Sequence, residues 1–121
     1  MPKSVRWYDQ EQTILFEVYE GMIDMKEFTE MVDEAFTLIS EQNHTVHIIA
    51  DLTQVRTVPT NPIMGAKYAD ARIAENQGIV VYVNANTFVQ SIIRIAKTVG
   101  SNSVRNLYFA KTLPEAEDLI R

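Results

Sequence analysis

Residues 44–65 read HTVHIIADLTQVRTVPTNPIMG, and the fold turns on how this run is divided. Val46, Ile48, Ile49 and Ala50 make a short apolar, β-branched stretch of the kind that lies buried on both faces as a parallel strand. Asp51, Leu52 and Thr53 follow where such a strand hands over to a loop, which runs on to Thr60, Asn61 and Pro62. Thr60 or Asn61 suits a helix N-cap, and Pro62 suits the first helical position. A strand, a polar loop and a fresh helix start bring free backbone N–H groups to one edge of a sheet. In open α/β folds, ligands and partners are met at that edge.

Working outward from this run, residues 62–75 read as a helix carrying the small residues Gly65, Ala66, Ala69, Ala71 and Ala74, which permit close approach to a sheet or a neighbouring helix. Residues 79–83 (IVVYV) form a continuous apolar run and predict a central parallel strand. Asn84 to Thr87 then cap a third helix, which stops at Gly100. Leu107 to Ala110 reads as a last strand, and the Thr112/Glu115 spacing predicts a short final helix.

Toward the N-terminus, residues 4–9 and 13–20 read as two strands joined by a short polar link, hence an antiparallel hairpin with Trp7 in the core. In the second strand Ile14, Phe16 and Val18 alternate with Leu15, Glu17 and Tyr19, a period of two with one better-buried face. Asp24 and Glu27 have capping-box spacing at the start of the clearest helix, with Ile23 and Phe28 placed as a hydrophobic staple. The order is therefore β-β-α-β-α-β-α-β-α, and residues 1–121 are expected to form a single α/β domain with a mixed, mostly parallel sheet. If all helices lay on one side, residues 79–83 would leave an apolar face open, which predicts a homodimer.

Composition limits the function classes. The net charge of −5 argues against a broad nucleic-acid-binding surface. Residues 1–50 hold ten acids and three bases, whereas residues 51–111 hold three acids and seven bases. That asymmetry fits either solvated helix faces or a basic face for an anionic ligand or acidic partner. With no cysteine, disulfides, thiol catalysis and zinc–thiolate sites are excluded. The opening residues lack the apolar core of a signal peptide, and no run approaches the ~20 apolar residues that span a bilayer. The expectation is a cytoplasmic bacterial protein without membrane insertion.

Chemistry-bearing patterns are few. His44 and His47 have H-x-x-H spacing but straddle the start of a strand, where residues three apart point to opposite faces, so no metal site is expected. There is no G-x-S-x-G elbow, no G-x-G-x-x-G and no Walker A loop, and neither an enzyme nor a cofactor is expected. The remaining candidates for partner or ligand contact are Asp51, Thr53, Arg56, Thr60, Asn61 and Asn84. Asp51 either accepts backbone N–H bonds in its turn or anchors a partner. Thr60 or Asn61 either caps the helix or, for Thr60, carries a phosphate stabilised by the helix dipole and free N–H groups.

These residues resemble the STAS domain, the SpoIIAA-like fold of anti-sigma-factor antagonists. Its members carry a strand, then a pattern such as D-L-S-G-V-x-x-I-D-S-S-G, then a helix. Asp51, Leu52, Thr53, Gln54 and Val55 match the first part, and Thr60 falls where the family has its phosphorylatable serine. Pro59 stands in place of the aspartate before that serine, and Asn61 and Pro62 in place of the small residues after it. The Trp-bearing first strand, the ILFE second strand and the ending from Leu113 to Leu119 are similar to a branch described as STAS/SEC14-like. The resemblance implies a non-enzymatic protein-interaction module in signalling or anti-sigma-factor regulation. The likeness of that branch to lipid carriers implies, as an alternative, a carrier or sensor for a small apolar, lipid-like or anionic ligand, with Met25, Met31, Met64, Tyr68 and Phe88 lining its pocket.

Overall fold

A computed structural model describes residues 3–58 and 61–121. Five strands lie in sequence order: β1 (Lys3–Trp7), β2 (Ile14–Met22), β3 (Val46–Thr57), β4 (Gln77–Val83) and β5 (Leu107–Ala110). β1 pairs antiparallel with β2, and every later neighbour is parallel. The hairpin turn is organised by Asp9, whose Oδ1 accepts the N–H groups of Thr13 (2.9 Å) and Ile14 (3.1 Å).

Three helices make the crossovers: α1 (Met25–Ser40), α2 (Pro62–Asp70) and α3 (Thr87–Thr98). Right-handed connections between successive strands added in one direction must all fall on one face, and these do. α1 opens on a complete capping box, the Asp24 carboxylate accepting from Glu27 N–H (2.8 Å) and the Glu27 carboxylate from Asp24 N–H (3.1 Å). Its end and the chain leading on to β3 are held by Asn76, whose side-chain amide donates to Ile39 O, Gln42 O and His44 O.

α4 (Leu113–Ile120) is no crossover and folds onto the opposite face. There Ala116 packs with Ile14, Phe16, Ile49, Val81, Val83 and Ala110. Near β1 that face is finished by Tyr8, whose ring lies 5.4 Å from Phe16, and by the Arg6 guanidinium 5.3 Å above the same ring. The apolar face of residues 79–83 is thus covered from within the chain, and the reason for expecting a homodimer falls away. β2 is accordingly buried on both faces, Leu15, Glu17 and Tyr19 toward α1–α3 and Ile14, Phe16 and Val18 toward α4.

The two boundaries that differ most from the reading of the sequence are the end of β3 and the end of α2. The strand beginning at Val46 does not end at Ala50 but continues to Thr57, because the long β2 supplies partners: Asp51 opposite Val18, Val55 opposite Gly21, Thr57 opposite Met22. Two register shifts, with Gly21 at φ +71°, let the strands twist through this extension. α2 stops at Asp70 rather than Glu75, the carboxylate of Asp70 accepting from Ser103 N–H (2.6 Å) and Ser101 hydroxyl (2.8 Å). Residues 102–104 form a turn of 3-10 helix.

His47 and Gly78 account for the shifted register between β3 and β4. The His47 ring lies where a Gly78 side chain would stand, and its Nδ1 accepts Ile79 N–H at 3.0 Å. His44 donates through Nε2 to Gln12 O at 2.9 Å. Both histidines are thus engaged in holding strand ends together.

Candidate functional site

Asp51 lies inside β3 rather than beyond it, but it is the last β3 residue paired with β4, opposite Val83. Past this point β3 runs on against β2 alone, and a polar corner opens beside it. The Asp51 Oδ1 accepts the Thr53 N–H (3.0 Å) and hydroxyl (2.6 Å). The Asn84 side-chain amide reaches the same hydroxyl at 3.4 Å, from a backbone at φ +61°, a conformation that asparagine tolerates better than most residues. Asn86 caps α3 by accepting Val89 N–H (2.9 Å) while its amide donates to Val55 O (3.1 Å) and Arg56 O (3.4 Å). The extension of β3 is thereby tied to the start of α3.

The sequence candidates therefore divide. Asp51, Thr53 and Asn84 meet through hydrogen bonds, whereas the Arg56 carbonyl accepts from Asn86 and is not part of that trio. Asn61 stands apart as the N-cap of α2, its Oδ1 accepting Met64 N–H at 3.0 Å. Thr60, together with Pro59, lies outside the described residues. Met22 (70% exposed), Ile63 (48%), Met64 (56%) and Phe88 (39%) sit at the ends of β2 and the first turns of α2 and α3, along this same edge of the sheet. Asn86, Met22 and Ile63 are not among the sequence candidates, and Met64 and Phe88 are there assigned to a ligand pocket instead. Asn86 could have been singled out as the N-cap ahead of a strongly amphipathic helix.

A second feature lies beneath the helices. α2 packs chiefly on α1, α3 and the 3-10 turn, standing away from the sheet. Its Gly65 is the point of close approach, where a Cβ would meet the Phe28 ring at 3.6 Å. The small side chains Ala66 and Ala69 cannot fill the space below, and a cavity of about 160 Å³ remains between α2, α1, α3 and the strands. None of Met25, Met31, Met64, Tyr68 and Phe88 lines it. Met31 is core, Met64 and Phe88 are exposed, and the Tyr68 hydroxyl is held by the Asp33 carboxylate at 2.7 Å.

The cavity lining is largely apolar; its polar members are Glu17, Tyr19 and Tyr82, which project from β2 and β4 to make the floor, together with Asn61, Arg72, Gln77 and Ser103. Glu17 is 7% exposed, and its Oε1 accepts the Tyr19 hydroxyl at 3.2 Å. Burial pushes this carboxyl up to about 7, the Tyr19 hydrogen bond opposing the rise and the Glu34 charge adding to it. Burial and the Glu17 charge raise both phenols in turn. Arg72 is the one cation lining the cavity among the described residues. It is engaged elsewhere, its Nε 2.9 Å from Asp33 and its guanidinium 3.7 Å above the Tyr68 ring. Glu17 escaped the sequence reading because one acid in a period-two strand looks like the solvent face. The available signal was that, from Ile14 to Tyr19, both sets of alternating residues in β2 are otherwise apolar.

Among the described residues no group of three His, Asp or Glu side chains is arranged to hold a metal ion. Nor, among them, is any helix long and apolar enough to cross a membrane.

No protein-family model matches the chain, and no curated protein matches it. Solved structures do. The unphosphorylated anti-sigma factor antagonist SpoIIAA superposes with a TM-score of 0.66 at 13% identity, covering 98% of this chain and 96% of its own. The phosphorylated form of SpoIIAA, a Bacillus cell fate determinant, gives 0.59 at 13% identity over 98% and 100%. An uncharacterized DUF3478-family protein from Shewanella loihica PV-4 gives 0.69 at 10% identity over 98% and 94%. Those values concern the backbone alone, and they agree with the sheet order, the single antiparallel edge strand and the crossovers described above: this chain has the SpoIIAA-like, or STAS, fold.

Proposed function

We propose that residues 1–121 form one STAS-type domain that works without catalysis, as a protein-interaction module in bacterial cytoplasmic signalling of the anti-sigma-factor kind. The observation that carries this reading is the edge where β3, β4 and the starts of α2 and α3 meet. Exposed Met22, Ile63, Met64 and Phe88 lie along the same edge as the polar residues Asp51, Thr53 and Asn84, with Arg56 and Asn61 also exposed. Apolar anchors within a polar rim are what a protein partner requires. The fold likeness to an anti-sigma factor antagonist supports the same role. Thr60, which directly precedes the Asn61 cap in sequence, is the proposed phosphoacceptor, since a phosphate there would add about two negative charges at a helix start.

The test is a partner-capture comparison. Met64→Asp and Arg56→Glu are expected to lose a partner that the parent chain and a control substitution on α4, Leu119→Asp, both retain. Recovery of the same partners by all four chains would refute the assignment of this edge. A kinase-dependent mass gain that disappears in Thr60→Ala would place the phosphate, and a gain that persists in that variant would remove Thr60 from the proposal.

A further inference from the structure

We propose that the cavity beneath α2 binds a small organic amine, its apolar body about the size of a benzene ring and its ammonium group set against the Glu17 carboxylate. This site lies beneath α2 rather than on the outer edge of the sheet that forms the partner surface, and it shares Asn61 with that edge.

Size comes first. The cavity holds about 160 Å³, and an apolar protein cavity of roughly 150 Å³ takes up benzene. The walls are the side chains of a hydrophobic core, among them Ile48, Val80, Val89 and Ala96. A way in exists as well. Phe36 of α1 and Ile73, just after α2, line the cavity yet remain 37% and 36% exposed, so it reaches the surface between them.

Charge then selects the ligand. Folding has already removed most of the water around Glu17, which is 7% exposed, and Tyr19 supplies one donor to one of its oxygens. Glu34 is the further charge acting on it, and that charge is negative. Arg72 is committed to Asp33 and Tyr68. An anion would be repelled here. A hydrocarbon would leave the carboxyl's remaining acceptor capacity unused. An ammonium group supplies both the missing donors and the missing positive charge. Because the carboxylate's desolvation is incurred in folding, pairing returns Coulombic energy against the ligand's own desolvation alone. The low exposure of Glu17 and its raised pKa describe the same situation: a buried carboxyl that the neighbouring charges do not neutralise.

The probes are four molecules of one size: benzylamine, benzyl alcohol, benzoate and toluene. Each is titrated into the full chain at pH 7 and followed through methyl NMR signals of Ile48, Val80 and Ala96 and the carboxyl carbon of Glu17. Benzylamine is expected to bind most tightly, to move those methyl signals and to shift the Glu17 carbon toward the ionised value. In Glu17→Gln its affinity should fall about tenfold or more, to the level of benzyl alcohol. In Ala66→Leu, which fills the cavity from α2, no probe should bind. Equal or tighter binding of benzoate or toluene in the parent chain would overturn the proposal. So would undiminished benzylamine binding in either variant, or a parent chain whose cavity signals no probe moves, the space then holding water alone. Should Glu17→Gln fail to fold, the four-probe ranking and Ala66→Leu decide the matter.

Discussion

The two faces of the sheet are built on different terms. Under α4, Ile14, Phe16, Ile49, Val81, Val83 and Ala116 interdigitate with no polar group among them. Under α1–α3, a larger cluster encloses a cavity, a carboxyl and two phenols, and its roof is secured at the margins by polar ties. Those ties are Asp33 to Tyr68 and Arg72, Asp70 to Ser101 and Ser103, and Asn86 to the carbonyls of β3. A face closed by a helix free to fold back can pack to the sheet. A face roofed by crossover helices must keep each helix between fixed strand ends, and small side chains on α2 leave space that nothing fills. Stability is thus expected to reside in the α4 face, while binding capacity belongs to the other.

The largest effect that would sharpen this contrast comes from matched truncations in neighbouring positions of β3. Ile49→Ala, on the α4 face, should cost about 3–5 kcal/mol in urea unfolding, whereas Ile48→Ala, whose side chain already borders empty space, should cost about 2 kcal/mol. Equal losses would break the distinction between a filled and an unfilled face.

Next in size is a pH dependence that only the cavity face should show. Glu17 has an ordinary value of 4.5 and about 7 in the fold, raised chiefly by burial. Below pH 4.5 it is protonated in both states and costs nothing. As pH rises from there to 7 the unfolded chain releases this proton first, so stability falls by about 3 kcal/mol and then levels off. Asp9 and Asp70 act in the opposite sense and in a lower range. Burial raises each, but hydrogen bonds from Thr13 and Ile14, and from Ser101 and Ser103, prevail and lower the result, so their contribution is lost as pH falls below 3.8. Denaturation of the parent chain and Glu17→Gln across pH 4.5–8 isolates the Glu17 part; superimposable profiles would show that the carboxyl is not shut away.

Smaller again is the cost of loosening the roof. Asn86→Ala removes the cap of α3 and its tie to β3, and should cost about 1 kcal/mol. Amide exchange should speed up in α3 and in residues 55–57 while α4 is unaffected. Smallest is Tyr68→Phe, which deletes the hydroxyl's bond to Asp33 and is expected to leave the unfolding midpoint nearly unchanged while hastening exchange in α2. Exchange that rises equally in α4 would show the two faces to be one cooperative unit.

Much of this was legible in one dimension because local chemistry fixes it. Capping pairs at Asp24/Glu27 and Thr112/Glu115, the N-cap Asn86 and the apolar runs of β3, β4 and β5 place the elements, since each depends on neighbours within four residues or on a short repeat. Strand–helix–strand alternation then calls for right-handed crossovers and a mostly parallel sheet, and Asp51-Leu52-Thr53 carries the resemblance to the STAS fold. What the chain alone did not reveal depends on contacts distant in sequence. β3 runs on to Thr57 because β2 is long enough to pair with it; α4 covers the far face because Ala116 packs there against residues of β2, β3, β4 and β5; and Glu17 is buried because helices close over both sides of its strand. Hydrogen-bond partners, a covering helix and a loss of water are properties of the assembled layers, and no window of sequence contains them.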